Sequence, residues 1–280
     1  MRYHRPGTLA DAIAIRAAAD VAVMAGGTDI YPARASRIGW GDPTQQDVLD
    51  ISAIPALRGI EESRSGWRIG CLVTWTAIAR AALPPVFDGL RAAAREVGGL
   101  QVQNRGTLVG NLCTASPAGD GIPNLLALDA GVEIAGPGGT RRVRLGDFLT
   151  GYRATALGAD ELVTALHIPR LDEARGGFRK LGARHYLVIS IAMAAGVVAT
   201  DGGGRITTAR LALGACSAVA QRLAALEAAL RGVAIGEASE VPEAAHLAAL
   251  APIDDIRASA AYRRDAALTV LRDLLRGFGA

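Results

Sequence analysis

Two glycine turns carry the chemistry this sequence offers most openly. The first, Ala25-Gly26-Gly27-Thr28-Asp29, follows the apolar run Val21 to Met24 and precedes a segment that reads as helix. At such a junction backbone N–H groups lack partners and glycines allow close approach, so a pyrophosphate would fit. The same pattern also makes a plain turn. Asp29 has the wrong sign for phosphate, which suits it to capping the next helix or meeting a hydroxyl. A second turn-rich stretch, Asn104 to Asp120, comes about 80 residues later, and two such turns could clamp one extended ligand from opposite sides. One further residue stands out by rarity: Lys180 is the only lysine in a chain whose basic residues are otherwise arginine.

The elements that must hold these turns can be read from periodicity. Thr8 caps a helix whose apolar positions are Leu9, Ala12, Ile13 and Ala17, and Val21–Met24 then forms a strand. Residues 36–46 read as a surface loop, while Val48–Ile51 and Trp67–Val73 read as strands. Leu90, Ala93, Ala94 and Val97 make one face of a helix that stops at Gly98-Gly99. Asn104–Pro123 has little periodicity and reads as a long functional loop. A hairpin is expected around Gly136–Gly139, then a strand from Glu161 to Ile168 closed by Pro169. Beyond a charged linker at Pro169–Gly177, three antiparallel strands are expected at Phe178–Gly182, Ile191–Thr200 and Arg205–Leu213, followed by helices. This places a domain boundary near residue 170.

Composition bounds the function. At 280 residues, 50% hydrophobic and 20% charged, the chain has apolar surface for two cores. A net charge of +3 is too small to argue for a nucleic-acid partner. The longest uncharged apolar run, Tyr186 to Thr200, is shorter than the roughly 20 residues a membrane span needs. Asp11, Arg16 and Asp20 interrupt any apolar export signal, so a cytoplasmic location is expected. Cys71, Cys113 and Cys216 form no CxxC pair, and the sequence contains no HExxH, GxSxG, GxxxxGK[ST] or GxGxxG. Cysteine-ligated clusters, metal hydrolysis, serine-hydrolase chemistry and the P-loop all lose their usual support.

Taken together, AGGTD at residues 25–29 and TLVGNLCTASPAGD at residues 107–120 resemble the flavin loops of the molybdenum hydroxylases, the xanthine dehydrogenase and carbon monoxide dehydrogenase type. The resemblance extends through Val48–Ile51, Leu125–Ala130 and Glu161–Pro169 to Phe178–Arg184, Leu230–Gly232 and Ala261–Arg264. It implies an α+β chain. A two-lobed PCMH-type FAD-binding domain would occupy residues 1–170, its lobes dividing near residue 60, and a smaller domain of a three-stranded antiparallel sheet with a helical bundle would occupy 171–280.

The resemblance also implies roles. Met24, Ala25, Gly26, Gly27, Thr28, Asp29 and Ile30 would wrap the pyrophosphate, with Thr107, Gly110, Asn111 and Ser116 completing the cradle. Asp120 would accept hydrogen bonds from cofactor hydroxyls, Val163 would pack near the isoalloxazine, and Lys180 would lie near the flavin, where a cation favours the reduced, anionic ring. Cys113, the nearest thiol, is expected to be packed, leaving the FAD noncovalent.

Val109 departs from the family pattern by standing where a glycine is usual. Either its backbone is one that valine tolerates, or the loop approaches the cofactor less closely. Gln103 stands where a basic residue is common and Val188 where an aspartate is frequent.

With no cysteine set of its own, the chain would be one subunit beside a [2Fe-2S] subunit and a molybdopterin-binding large subunit. It would pass electrons from iron–sulfur clusters through FAD to NAD, a quinone or oxygen. The alternatives are a self-sufficient flavin oxidase and a flavin-free structural subunit.

Overall fold

The computed structural model describes residues 1–39 and 46–280. The chain opens with β1 (Tyr3–His4), α1 (Leu9–Ala18), β2 (Val21–Met24), α2 (Ile30–Gly39) and β3 (Asp47–Asp50), whose strands form a parallel sheet in the order β1-β3-β2. Thr8 caps α1 as expected, its hydroxyl accepting from the Asp11 amide at 3.1 Å. Within the expected loop at 36–46, residues 36–39 instead finish α2, and residues 40–45, with Gly41, Asp42 and Pro43, lie outside the described residues.

A second layer is built on a five-stranded antiparallel sheet. Its strands are β4 (Ile60–Ser63), β5 (Gly66–Gly70), β6 (Gly131–Gly136), β7 (Gly139–Arg144) and β10 (Leu162–Pro169), in the order β4-β5-β10-β6-β7. Between β5 and β6 the chain makes α3 (Trp75–Arg80), α4 (Asp88–Glu96), α5 (Leu100–Arg105), α6 (Leu108–Thr114) and α7 (Gly121–Ala127). The expected long loop at Asn104–Pro123 is therefore largely helical. Helices of six and seven residues are mostly ends, so their sequence is dominated by capping types such as Gly106 and Thr107, and no apolar period can build up. After β7 come α8 (Leu145–Phe148) and the small hairpin β8 (Leu149–Gly151) and β9 (Ala154–Thr155).

The C-terminal sheet contains β11 (Ala174–Leu181), β12 (Ala192–Thr200), β13 (Ile206–Gly214) and a short fourth strand, β14 (Gln221–Arg222), in that order. Three strands were expected. Two residues at an edge carry no alternation, which is why β14 left no mark on the sequence pattern. The expected linker also shrinks, because β10 runs to Pro169 and β11 begins at Ala174. No helical bundle forms among the described residues. α9 (Ala224–Ala229), two 3-10 turns at Ile235–Glu240 and Ala244–Leu247, and the 20-residue α10 (Ala260–Gly279) cover the sheet instead.

The sheet is buried on both faces. Along β12, Met193, Ala195 and Val197 join the core shared with the N-terminal layers, while Ala192, Ala194 and Val198 join a second core under α10 with Leu271, Leu274 and Leu275. That two-sided burial explains why β12 reads as an unbroken apolar run. No helix among the described residues is long and apolar enough to cross a membrane.

Candidate cofactor site

The first turn leaves the carboxyl end of β2, where ligands gather on parallel sheets. Gly27 takes φ +74°, which reverses the chain into α2. Tyr31 and Ala33 donate their amides to the carbonyls of Gly27 and Asp29 at 3.3 and 3.1 Å. The amides of Thr28, Asp29 and Ile30 have no partner among the described residues. They form the open end of a helix, a ready acceptor of negative charge.

The second turn meets the first. A β-carbon on Gly26 would lie 1.9 Å from the Arg105 carbonyl oxygen and 3.0 Å from the Gly106 α-carbon, so only glycine lets the two backbones touch. Thr107 caps α6, its Oγ1 accepting from the Gly110 amide at 2.9 Å. Leu108 donates its amide to the Val73 carbonyl at 3.1 Å, anchoring the turn to the segment after β5. At the far end of α6, Thr114 Oγ1 stands 3.4 Å from Asp29 Oδ2, a second link between the turns.

Between them lies a cavity of about 550 Å³. Residues 25–30, Thr107, Gly110, Asn111, Ser116 and Val163 all line it. Val163 comes from β10, where the register with β6 shifts between Val163 and Ala165, and such a bulge re-aims side chains. Three candidates do not line the cavity. Met24 is buried within β2. Asp120 and Lys180 face each other: Lys180 Nζ donates to Asp120 Oδ2 at 2.5 Å, with side chains 5% and 6% exposed for the lysine and the aspartate. Burial raises the Asp120 carboxyl, and the Lys180 charge with hydrogen bonds from Lys180 and Ser190 opposes that rise.

Val109 lies in the second position of α6, buried and in regular helical backbone, so the glycine usual there is not needed for a left-handed conformation. Gln103 is buried and donates through Nε2 to the Arg95 carbonyl at 2.9 Å. Val188 packs against Gly182. Cys113 is exposed and lines the cavity, contrary to the packed position expected.

Sequence reasoning passed over Arg153. It lines the cavity from the turn between β8 and β9, at φ 50°, with its amide donating to the Ala115 carbonyl at 3.2 Å. The tight turn Gly151-Tyr152-Arg153 gave no motif; its strained backbone is visible only in three dimensions.

Unpaired amides at one helix start, a backbone contact that tolerates no β-carbon, and an apolar wall that includes Val163 suit an extended dinucleotide. Fold and site thus define a mixed α/β protein of the dinucleotide-binding class, with two glycine turns facing one cavity. Residues 1–171 match the family described as the FAD binding domain in molybdopterin dehydrogenase, and residues 178–277 match the CO dehydrogenase flavoprotein C-terminal domain. The chain belongs to this family: it is an FAD-binding oxidoreductase subunit of the molybdenum hydroxylase type.

Among curated relatives, the nicotine 6-hydroxylase medium subunit of Paenarthrobacter nicotinovorans is 30% identical, over 100% of this chain and 98% of its own. The carbon monoxide dehydrogenase medium chain of Afipia carboxidovorans is 31% identical over 96% and 93%. Among solved structures, reconstituted CO dehydrogenase from Oligotropha carboxidovorans superposes with a TM-score of 0.91 at 27% identity, covering 99% of this chain and 98% of that one.

Proposed function

We propose that this chain is the electron-transfer subunit of a multi-subunit molybdenum hydroxylase, working in the cytoplasm beside a [2Fe-2S] subunit and a molybdopterin-binding large subunit. It would stand between the iron–sulfur clusters and a final acceptor, which is NAD, a quinone or oxygen. The observation that carries this reading is the cavity walled by the two glycine turns, in a chain where no group of three His, Cys, Asp or Glu among the described residues could hold a metal. The names medium subunit and medium chain borne by its relatives support the same division of labour. Residues 1–170 would form the FAD-binding domain and 171–280 the C-terminal domain.

Bound FAD would supply chemistry that accepts and releases electrons singly or in pairs. The protein's own contribution is binding and orientation. The amides of Thr28, Asp29 and Ile30 would hold the pyrophosphate, with Thr107, Gly110 and Asn111 closing the cradle from the other turn. Asp29, too acidic for phosphate, is suited to a cofactor hydroxyl, as is Ser116. Val163 and Leu162 would exclude water from an apolar portion of the ligand.

The test is a visible spectrum of the purified chain followed by capture of partners from its native cell. The reading expects flavin bands and co-purification of an iron–sulfur chain and a molybdopterin chain. A colourless chain in excess FAD, or a lone chain with full dehydrogenase activity, would overturn it.

A further inference from the structure

The apolar part of the cofactor wall depends on one extra residue in β10. Opposite the consecutive Ile134 and Glu133 of β6, β10 sets Val163, Thr164 and Ala165, so Thr164 has no cross-strand partner on β6. Successive side chains of a strand face opposite sides, and one inserted residue exchanges the sides of everything beyond it. Ala165 and His167 share the side of their register partners Glu133 and Arg68, where a polar network lies. Without the insertion Val163 would face that network. With it, Val163 takes the side of Ile134, in the core, and reaches the cavity. Two bonds hold the extra residue. Thr164 Oγ1 donates to Glu133 Oε1 at 2.7 Å, and the Thr164 carbonyl accepts from the Cys71 amide at 2.9 Å. Thr164 is 2% exposed, so water offers neither group an alternative partner. The Glu133 carboxylate is fixed in turn by Arg68 Nη2 at 3.0 Å and His167 Nε2 at 2.6 Å, with Arg142 Nη2 3.7 Å away. Glu133 lines none of the cavity, whereas Cys71 and Val163 both do.

We propose that Thr164 is a positioning residue for the cofactor: pinned to Glu133 by its hydroxyl and to Cys71 by its carbonyl, it holds the bulge that turns Val163 onto the flavin ring. This rests on the FAD assignment above. A valine at position 164 keeps the branched shape but loses the donor, which leaves Glu133 one hydrogen bond short in a half-buried setting. The bulge then has one anchor where it had two, and Val163 is free to swing back toward the polar side.

Three readouts on the full chain report on this wall. They are FAD affinity by flavin fluorescence quenching, the resolution of the visible flavin band, which sharpens in apolar surroundings, and hydrogen exchange of the Cys71 amide in flavin-free protein. Thr164→Val should weaken FAD binding by about fivefold or more, blur the band and speed exchange at Cys71. Thr164→Ser, which keeps the hydroxyl, should hold affinity within about twofold of the parent and preserve the band. Ile168→Val trims the same strand near its far end at a comparable cost in stability, and should change neither affinity nor spectrum. Glu133→Gln reaches the anchor through its acceptor and serves where Thr164→Val does not fold; a neutral acceptor in place of a charged one should cost about threefold in affinity and speed exchange. Parental affinity and spectrum in Thr164→Val, or parental affinity and exchange in Glu133→Gln where it stands in, would overturn the proposal. So would a serine variant no better than the valine one, or an equal loss in Ile168→Val. A parent chain that binds no flavin would instead overturn the FAD assignment.

Discussion

Gly26 and Arg105 are 79 residues apart in the chain and in backbone contact in the fold: a β-carbon on Gly26 would sit 1.9 Å from the Arg105 carbonyl oxygen. The two turns are thereby one device, and neither can shift alone. Gly26→Ala must push them apart. Overpacking of this kind costs about 1–3 kcal/mol, which corresponds to roughly 5- to 150-fold in FAD affinity if the strain falls on the site. Flavin titration alongside circular dichroism checks it; full affinity in a folded Gly26→Ala chain would contradict the clamp.

Gly110→Val attacks the other jaw. A β-carbon at Gly110 would stand 2.8 Å from Thr107 Oγ1, the atom that caps α6. Loss of that cap is worth about 1 kcal/mol, and the helix start would tilt away from the cavity. FAD binding should fall sharply while the C-terminal sheet keeps its protection from exchange.

The two jaws were partly legible beforehand. The two glycine turns stood out in the sequence as a possible clamp, although either alone could be a plain turn, and the roles of their residues came from the family resemblance. The helices between residues 100 and 127 were not legible, since α5, α6 and α7 span six or seven residues each and show no period. Lys180 and Asp120 were assigned to the flavin by resemblance. That they satisfy each other across 60 positions is a tertiary fact that no local pattern encodes. Arg153 escaped for a similar reason, its importance lying in where the β8–β9 turn points.

Arg153 holds a left-handed backbone, which costs a non-glycine residue about 1–2 kcal/mol. Arg153→Gly should relieve that strain and leave the chain at least about as stable as the parent, glycine's extra freedom when unfolded offsetting part of the gain. FAD binding should nevertheless weaken by about tenfold through loss of a cation on the cavity wall. Thermal melts and flavin titration separate the two effects. Unchanged FAD affinity would make the arginine incidental.

The flavin should be releasable. Cys113 is the exposed thiol of the cavity, yet nothing in the proposed function requires it to bond the cofactor. Acid or heat should free all the FAD, and Cys113→Ser should release it equally. Flavin retained by the denatured parent but not by the serine variant would assign Cys113 as a covalent anchor.

Glu133 gives a pH signature remote from the site. Burial alone would raise its carboxyl, but hydrogen bonds from His167, Thr164 and Arg68 bring it down from 4.5 to about 2. A carboxyl depressed on folding contributes stability that is present above its unfolded value and lost as pH falls toward its folded one. The stability lost on Glu133→Gln should be constant above about pH 4.5 and shrink between there and about pH 2, with a plateau on the order of 1–2 kcal/mol after solvent screening. Urea melts across that range decide it; a pH-independent difference would show that shape, not charge, is what the glutamine loses.

The single lysine has a practical side. With Lys180 only 5% exposed against Asp120, the folded chain offers acylating reagents no side-chain amine on its surface. Modification of that ammonium requires the C-terminal sheet to lift from the cofactor wall. The rate of its acylation would therefore clock the opening of the molecule, a built-in chemical stopwatch that needs no added label.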